Sequence, residues 1–531
     1  MRIRETVLTS LMGIGFIFTS SQGFPNDVRS ASLDKLLDSE IAERISKKLF
    51  NSKIFSQQDI HITVKSGTVT LSGYVSSLRS KDRAVQFAEG SRGVTAVIDE
   101  LSLKAPPRSD ELIQKDVKRF LSLDSAIRPF NLATSVSKGV VTLKGIVDSW
   151  AAKNLAAWVA AGVRGVVEVD SDIKIIPQRK VSEKEIADEV KGELKADPYI
   201  NDKLIQVNVE GSRVTLSGKV SSLQQRSRAY RDAFVASVMD VDASEIKIDP
   251  QLQNLGPAAK IPEDAVQIQT AATRAMRLDP RLKGGDIYVD VNGHSATLSG
   301  TVENLKSKLT AEDDVRNTLG VVEVNDQLFV DSGQNRSDPD IAADVKDVMA
   351  LDSLLDPFPI TASVKNGVVT LSGKVDTDYE KWDASEEVSV IDGVKGIQND
   401  LGLYQPAQKR EYVTDASIRE AISQDLRDDD NLNLGDQVKV SVKAGKATLS
   451  GTVLTWHDSF EAVEDAFMGG AIGVSNEIKT AGQKTPNIRW YPSVPREAFT
   501  YQWRPVDVNI SPLKDQTSVS LIQKVKPVKI K

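Results

Sequence analysis

The chain has few of the residues on which protein chemistry most often depends. Its 531 residues include no cysteine and only three histidines. The lack of cysteine excludes disulfide bonds, thiolate catalysis and cysteine-ligated metal sites. Three histidines offer little for acid–base catalysis. The net charge of −7, with 27 % of residues charged, is typical of a soluble protein and argues against a general nucleic-acid binder.

Long apolar runs are also scarce, and the notable one lies near the start of the chain. Residues Val7 to Phe18 follow the basic segment Met1 to Arg4 and are too few to span a bilayer. Small and polar residues come next, so the pattern predicts a secretory signal peptide over residues 1–23. A retained N-terminal anchor is the alternative interpretation of the same run.

Repetition is the feature that the sequence has in abundance. The segment Val69 to Val75, with the sequence VTLSGYV, returns in five further close copies. Each copy carries one glycine, and successive glycines are 72, 73, 82, 73 and 78 residues apart: Gly73, Gly145, Gly218, Gly300, Gly373 and Gly451. A recurrence of this size is typical of a tandem array of one supersecondary unit. We therefore predict six units.

Each unit shows the same order of local patterns. Apolar residues at i, i+4 and i+8, such as Ile41, Ile45 and Leu49, predict an amphipathic helix before each glycine motif. Strict alternation then predicts a strand, and a pair such as Ser66-Gly67 or Glu210-Gly211 places glycine second, as a type I′ hairpin turn requires. A second helix and a third strand complete the unit. In the third copy a glycine is missing where that last strand should begin.

The motif glycine is predicted to mark a close contact inside each unit. It shares the parity of the buried residues of its strand, and a glycine at such a position usually allows another element to approach. An alanine follows eleven residues later in all six copies: Ala84, Ala156, Ala229, Ala311, Ala384 and Ala462. We expect the second helix to pack its small-residue face against the glycine, so that Gly73→Val overpacks the first unit.

No motif predicts catalytic, cofactor-binding or metal-ligating residues. His61, His294 and His457 fall at unrelated places, so a shared metal site is not expected. Residues 428–436 are similar to a calcium loop, but the glycine comes one residue late and no glutamate closes the loop. Neither a phosphate loop nor a nucleophile elbow is present. Trp150 and Trp456 are predicted to cover the start of the second helix in their units.

The last 51 residues, 481–531, follow another pattern. They carry nine lysines or arginines against three acidic residues, and aromatic residues alternate with arginines and prolines. Two interpretations stay open, a disordered solubilising end and a contact segment for an anionic surface. The candidate surface-binding residues are Arg489, Trp490, Tyr491, Trp503, Arg504, Lys524, Lys526, Lys529 and Lys531.

Taken together, the apolar helix, the hairpin pattern V-x-V-x-x-G-x-V-x-L-x-G-x-V, the alanine-bearing helix and the closing G-V-x-x-V strand resemble the BON domain. The resemblance implies an α+β fold, a tandem array of six small αββαβ domains, each a three-stranded mixed sheet covered on one face by two helices. The expected divisions are a signal peptide at 1–23, BON-like units at 35–105, 108–177, 180–250, 262–333, 337–405 and 412–480, and the basic tail at 481–531.

The resemblance also implies a function. BON proteins are typically bacterial envelope proteins, so the chain is expected to be periplasmic, soluble or peripherally attached to the membrane. Binding to anionic phospholipid surfaces, support of envelope integrity and adaptation to osmotic stress are implied, without catalysis, cofactor, small-molecule substrate or nucleic acid. The alternative is a periplasmic protein-binding scaffold that uses exposed strand edges. A metal-dependent enzyme built on Asp425 to Asp436 ranks last.

Overall fold

Six repeats of one small domain make up the part of the chain that can be described. A computed structural model describes residues 38–51, 59–104, 108–177, 181–197, 199–249, 252, 264–283, 285–331, 333, 336–355, 358–376, 378–404, 414–428 and 434–480. Within these residues, twelve α-helices and eighteen strands follow the order helix, strand, strand, helix, strand six times. The predicted order of elements is confirmed.

The first three repeats have these bounds. Repeat 1 contains α1 (Asp38–Asn51), β1 (Asp59–Lys65), β2 (Thr68–Val75), α2 (Leu78–Glu89) and β3 (Ala96–Leu103). Repeat 2 contains α3 (Asp110–Leu123), β4 (Ala133–Ser137), β5 (Val140–Val147), α4 (Trp150–Gly162) and β6 (Glu168–Ile175). Repeat 3 contains α5 (Glu183–Ala196), β7 (Ile205–Glu210), β8 (Arg213–Val220), α6 (Leu223–Asp232) and β9 (Asp240–Ile248).

The last three repeats follow the same plan. Repeat 4 contains α7 (Ala265–Leu278), β10 (Asp286–Asn292), β11 (Ser295–Val302), α8 (Leu305–Arg316) and β12 (Glu323–Val330). Repeat 5 contains α9 (Asp338–Leu351), β13 (Thr361–Lys365), β14 (Val368–Val375), α10 (Asp378–Ser389) and β15 (Gly396–Leu403). Repeat 6 contains α11 (Asp415–Asp428), β16 (Val438–Lys443), β17 (Lys446–Val453), α12 (Trp456–Met468) and β18 (Gly473–Thr480).

Each repeat folds into one three-stranded mixed sheet. The strand that carries the motif glycine lies in the centre, antiparallel to the strand before it and parallel to the strand after the second helix. In repeat 1, Gly73 pairs with Ile60 on one side and with Leu101 on the other. The parallel third strand requires a crossover, which the second helix supplies. This topology confirms the predicted α+β fold.

The core of each repeat lies between the sheet and its two helices. The predicted apolar triplet of every first helix is buried, as with Ile41, Ile45 and Leu49 in α1. In the central strand Val69, Leu71 and Val75 belong to the same hydrophobic cluster as this triplet. Burial of one such aliphatic side chain contributes about 1.5–3 kcal/mol, so the triplets and the strands hold each repeat together.

The hairpin turns differ among the repeats. Repeats 1, 2, 5 and 6 place glycine second, with positive φ at both turn residues, as predicted: Ser66-Gly67, Lys138-Gly139, Asn366-Gly367 and Ala444-Gly445. In repeats 3 and 4 the prediction is wrong by one position. Glu210 and Asn292 still pair within the strands, so the turns are Gly211-Ser212 and Gly293-His294. Glycine comes first there, as in type II′ turns.

Repeat 3 also departs from the others at its last strand. A glycine with positive φ precedes that strand in other repeats, for example Gly165 with φ 91°. Ser237 takes this conformation in repeat 3, with φ 71°. The pairing of β8 with β9 contains an irregularity between Thr215 and Ser217, where the register shifts. Repeat 3 therefore keeps the positive-φ residue before its last strand without a glycine, and its topology matches that of the other repeats.

Candidate functional site

The motif glycines face a strand, and the explanation that placed them against the second helix is wrong. All six have positive φ, between 107° and 152°. A Cβ on Gly73, Gly218, Gly300, Gly373 or Gly451 would lie under 3.0 Å from a backbone carbonyl oxygen of the neighbouring first strand or of the residues just before it. At Gly145 it would lie 2.7 Å from Leu132 Cδ2. Each position requires glycine for two reasons. Its backbone has a positive φ, and a neighbouring atom, which in five repeats is a carbonyl oxygen, leaves no room for a Cβ.

The predicted alanines belong to the cores of their repeats. Ala84, Ala156, Ala229, Ala311, Ala384 and Ala462 are all fully buried. In repeat 1, Ala84 lies in one hydrophobic cluster with Val69, Leu71 and the residue one turn later, Ala88. The small-residue face of the second helix thus packs on the sheet, but among its apolar side chains and not at the glycine.

Other predicted features lie outside the described residues. These are the signal peptide at 1–23, residues 429–433 of the acidic loop, and the whole basic tail with its nine candidate residues, from Arg489 to Lys531. The expectations for them stay predictions.

An acidic residue at the start of the first helix holds the hairpin turn of the same repeat. In repeat 2 the carboxylate of Asp110 accepts hydrogen bonds from the backbone N–H groups of Lys138 and Gly139, at 2.8 and 2.9 Å. The corresponding contacts recur from Asp38, Glu183, Asp338 and Asp415, each to a turn 28 to 30 residues later. We call this contact the turn clasp. Repeat 4 has Ala265 at the corresponding position.

We expect Asp110→Ala to loosen the hairpin of repeat 2. Hydrogen bonds to a charged group contribute about 1.5–3 kcal/mol each, and the exposure of the turn places the loss at the lower end. Hydrogen exchange at Lys138 and Gly139 should accelerate about tenfold or more. The exposed neighbour Glu111 provides the control, because Glu111→Ala leaves the clasp intact and should leave exchange at the turn unchanged.

Side chains of each second helix contact second helices of other repeats. We call α2, α4, α6, α8, α10 and α12, with the side chains between them, the helix junction. Repeats 2 and 5 share one continuous hydrophobic core. Their backbones also bond, because Arg164 N–H donates to the Leu351 carbonyl at 3.1 Å and Ser353 N–H to the Gly162 carbonyl at 3.4 Å. These repeats therefore form one packed body.

Arg79 of α2 joins three repeats at the helix junction. Its Nη1 lies 2.9 Å from Asp352 and 3.1 Å from Glu387, both in repeat 5. Its guanidinium lies 4.1 Å from the ring centroid of Trp158 in repeat 2. The side chains of Arg79 and Glu387 are 9 % exposed and that of Asp352 is 0 % exposed. A Cβ at Gly162 would overlap the guanidinium, so the glycine at the end of α4 makes room for it.

Arg83, one turn further along α2, makes a parallel set of contacts. Its guanidinium donates to Glu464 of repeat 6 at 3.0 Å and to the Tyr379 hydroxyl of repeat 5 at 3.0 Å. It also lies over the Tyr379 ring, 4.7 Å from the centroid. Burial, together with nearby acidic side chains, raises the pKa of Tyr379 despite the charge of Arg83. The phenol is therefore neutral and can accept from Arg83.

Repeats 3 and 6 meet around a buried tyrosine. The Tyr199 hydroxyl donates to a carboxylate oxygen of Asp458 and lies 2.8 Å from Thr455 Oγ1. Burial and then the charge of Asp458 raise the pKa of Tyr199 well above its usual value, so the hydroxyl keeps its proton. Beside it, Arg228 Nη1 lies 3.2 Å from His457 Nε2. This contact orders the start of α12 against repeat 3.

The prediction for the two tryptophans is incomplete. Trp150 and Trp456 do begin the second helices of their repeats, but both also contact another repeat. The ring of Trp150 stacks on Phe234 of repeat 3, with 3.7 Å between centroids. The guanidinium of Arg316 in repeat 4 lies 4.9 Å from the centroid of Trp456. They are contacts between repeats, which periodicity within one repeat could not indicate.

Carboxylates outnumber cations where repeat 5 meets repeats 1 and 4. Burial and the neighbouring Glu387 raise the pKa of Asp352 to about 6, although Arg79 lowers it. Burial, with Asp352 and Glu387, raises the pKa of Asp383 well above its usual value. In repeat 4, burial raises the pKa of Asp313 to about 8 against the opposing charges of Arg316 and Lys306. The closed junction therefore favours protonated carboxyls.

This arrangement predicts that the helix junction weakens as pH rises. A carboxyl whose pKa is raised in the closed state binds its proton more tightly there than in water. The stabilisation from such a carboxyl is complete below its ordinary pKa of 3.8. It is lost as the pH rises to the raised pKa, which is about 6 for Asp352 and about 8 for Asp313. A pKa that is higher by one in the closed state corresponds to about 1.4 kcal/mol of stabilisation. The free energy of opening of α10, measured by hydrogen exchange, should fall between about pH 4 and 8.

Asp352→Asn provides the control for this pH dependence. The amide keeps an oxygen for the backbone N–H groups of Leu354 and Leu355, which the Asp352 carboxylate binds at 2.7 and 3.1 Å. It removes the titrating group beside Arg79, Glu387 and Asp383. The part of the loss of stability that falls between about pH 4 and 6 should disappear in this variant. An unchanged pH profile would contradict the assignment.

The described residues show no assembled metal site and no membrane-spanning helix. Among them, no group of three or more His, Asp or Glu side chains is placed to hold a metal ion. His61 lies exposed on a sheet, His294 in a hairpin turn and His457 in the helix junction. No helix in these ranges combines the length and the apolar character needed to cross a membrane.

Comparison with known proteins finds two curated relatives, each aligned over 144 residues. Osmotically-inducible protein Y of Escherichia coli (strain K12) is 31 % identical, over 26 % of this chain and 72 % of that protein. An uncharacterized protein in the gshII 5′ region of Anaplasma centrale is 28 % identical, over 26 % of this chain and 94 % of that protein.

A solved structure is also similar in part. It is CdsD, a structural protein of the type III secretion system of Chlamydia trachomatis, with 14 % identity over 38 % of this chain and 90 % of that chain. Its TM-score of 0.11 is too low to support any argument about this protein.

The family is shown by the repeats themselves. The family model described as BON domain matches the chain six times, at residues 37–105, 109–177, 182–250, 264–332, 337–403 and 414–482. These segments cover most of the chain and contain the elements described above, one copy of the αββαβ fold in each. The resemblance drawn from the glycine motif is therefore confirmed, and the protein belongs to the BON domain family, with six tandem copies of the domain.

Proposed function

We propose that this protein is an exported, non-enzymatic protein of the bacterial envelope that supports adaptation to osmotic stress. The observation that carries the proposal is the combination of six BON domains with 31 % identity to most of osmotically-inducible protein Y. Fractionation of native cells into cytoplasm, periplasm, membranes and medium tests it, and recovery in the cytoplasm alone would overturn it.

The finer proposal is that the protein binds anionic phospholipid surfaces and so supports envelope integrity. Large apolar side chains are exposed on the outward faces of several sheets, among them Tyr74, Ile146, Tyr288 and Phe329. Tyrosine in particular suits the boundary between lipid headgroups and water. The basic tail, 481–531, adds a net charge of about +6, which favours anionic headgroups.

Cosedimentation with vesicles tests the lipid proposal. The full chain should bind vesicles that contain phosphatidylglycerol more strongly than pure phosphatidylcholine vesicles, and binding should weaken as salt screens the charges. A chain that ends at Thr480 separates the tail from the repeats. If neither chain sediments with anionic vesicles at low salt, the lipid proposal fails.

A periplasmic protein scaffold is the second candidate, and the sheets favour it for one reason. In every described sheet the first and third strands pair on one side only, so each repeat has two strand edges that another chain could extend. Crosslinking in cells distinguishes the two functions. One dominant protein partner, without association with lipid, would favour the scaffold.

A further inference from the structure

The outer face of the repeat 4 sheet carries the two most exposed aromatic side chains of the described residues. Tyr288 is 67 % exposed and Phe329 is 73 % exposed. Tyr288 of β10 pairs with Ser299 of the central strand β11. Phe329 of β12 pairs with Thr301 of the same central strand. The two rings therefore stand on either side of a floor of small side chains, on strands that lie about 9–10 Å apart.

This outer face is also acidic. Asp286, Asp290 and Glu323 lie on it and are exposed. On each of the other five described sheets, the strands carry at least one lysine or arginine on the corresponding face, for example Lys65 in repeat 1 and Lys439 in repeat 6. The strands of repeat 4 carry none there. Carboxylates beside aromatic rings suit a partner with arginines, because a guanidinium can pair with a carboxylate and stack on a ring.

The chain itself contains a segment of that chemistry, after its last described residue. Residues 489–496 have the sequence RWYPSVPR, in which Pro492 and Pro495 form a P-x-x-P pattern between two arginines. Such segments favour the polyproline II conformation and bind grooves lined with aromatic side chains. Prolines three positions apart then lie on one edge of the segment, about 9 Å from each other. This spacing matches that of the two strands that carry Tyr288 and Phe329.

The place of repeat 4 beside repeat 6 favours binding within one chain. Arg316 of α8 lies over Trp456 of α12, so the two repeats are neighbours. The last described residue of repeat 6 is Thr480. Residues 481–488 can span up to about 26–29 Å when extended. A segment tethered in this way is present near repeat 4 at a high effective concentration, so that weak contacts suffice for binding.

We propose that the outer face of the repeat 4 sheet binds residues 489–496 of the same chain. The two prolines pack on the two aromatic rings, while Arg489 and Arg496 pair with the carboxylates around them. The face is already exposed, so the packing between repeats stays unchanged. With the tail bound there, Tyr74 and Ile146 on other sheets remain as exposed apolar contacts for lipid. The inference goes beyond the proposed lipid function and does not depend on it.

A distance measurement in the full chain, without lipid, tests the inference. Because the chain has no cysteine, Asn325→Cys on the exposed side of β12 and Ala498→Cys after the segment can carry two nitroxide labels. Double electron–electron resonance should give a short and narrow distance distribution. Asp286→Lys with Asp290→Lys should lower the ratio of bound to unbound tails about tenfold or more, because like charges then face each other.

A charge exchange shows whether the two sides pair directly. Arg489→Glu with Arg496→Glu should also release the tail. Combined with Asp286→Lys and Asp290→Lys, the same change should restore the short distance, which a misfolded repeat 4 could not do. No restoration would overturn the inference.

Glu100→Lys with Glu245→Lys is the control for net charge. Both carboxylates are exposed, on the sheets of repeats 1 and 3, and their reversal should change the ratio less than about twofold. An equal loss in this control would overturn the inference, and so would a broad distance distribution in the unmodified chain. A short distance between two chains that carry one label each would overturn binding within one chain, because the tail would then lie on a second copy.

Discussion

Gly300→Ala should unfold repeat 4 or destabilise it by about 3–5 kcal/mol. The new Cβ would lie under 3.0 Å from the carbonyl oxygen of Asp286, which belongs to the strand β10 paired with β11. The backbone at Gly300 has φ 121°, a conformation that alanine rarely adopts. Strain in the backbone and displacement of a paired strand each cost about 1–3 kcal/mol. The measurement is hydrogen exchange in β10 and β11 of the full chain.

A second glycine of the same hairpin provides the control. Gly293 also has positive φ, at 61°, but a Cβ there would meet nothing within 4 Å. Gly293→Ala should therefore lower the stability of repeat 4 by only about 1–2 kcal/mol, the strain of an alanine with positive φ. If both variants lose the same stability, the carbonyl contact does not explain why the motif requires glycine.

Arg79→Gln should open the contact between repeats 1 and 5. The variant leaves Asp352 and Glu387 without their shared cation in a site where both are buried. Removal of one partner from a buried ion pair costs about 3–5 kcal/mol, because the remaining charge stays out of water. We expect hydrogen exchange to accelerate in α2 and α10 together, while the strands of repeat 1 keep their protection.

The exposed arginine of repeat 3 is a matched control. Arg213 pairs with Asp240 at 3.1 Å, and both side chains are more than half exposed. Arg213→Gln should cost less than about 1 kcal/mol, since water solvates both charges when the pair is broken. If both variants lose a similar amount of stability, the ion pairs of Arg79 contribute no more than an exposed ion pair and do not link the repeats.

The fold of a single repeat can be predicted because it depends on local spacing. The triplet Ile41, Ile45 and Leu49 repeats at helical period, and the alternation in the strands sets which side faces the core. The position of the motif glycine is also evident in the sequence, but the reason for it is not. Alternation along a strand indicates which face of the sheet a residue lies on. The positive φ of Gly73 and its contact with the carbonyl of Asp59 can be seen only in the folded structure.

The turn clasp is absent from the sequence predictions although the sequence carries a signal for it. The acidic residue and the turn stand 28 to 30 residues apart in five repeats, as with Asp110 and Lys138. Taken within one repeat, such an acidic residue indicates only a favourable start to its own helix. The constant spacing emerges when the six copies are compared position by position.

Contacts between repeats are beyond reach of local sequence patterns. The ion pairs between repeats join residues far apart in the chain, such as Arg128 with Asp392, 264 positions away, and Arg83 with Glu464, 381 positions away. Local periodicity carries no information about such pairs. What the sequence does contain is a difference in charge among the second helices, since α10 carries five acidic residues and one lysine, whereas α2 carries three basic and two acidic residues.

A double-mutant cycle between Arg79 and Glu387 tests most directly whether the repeats close on one another. The free energy of opening of α2 is measured by hydrogen exchange in the unmodified chain, in Arg79→Gln, in Glu387→Gln and in the double variant. Residues 308 positions apart can couple only if the chain brings them together. We predict a coupling of about 1–3 kcal/mol. Additive effects, within about 0.5 kcal/mol, would contradict the closed arrangement.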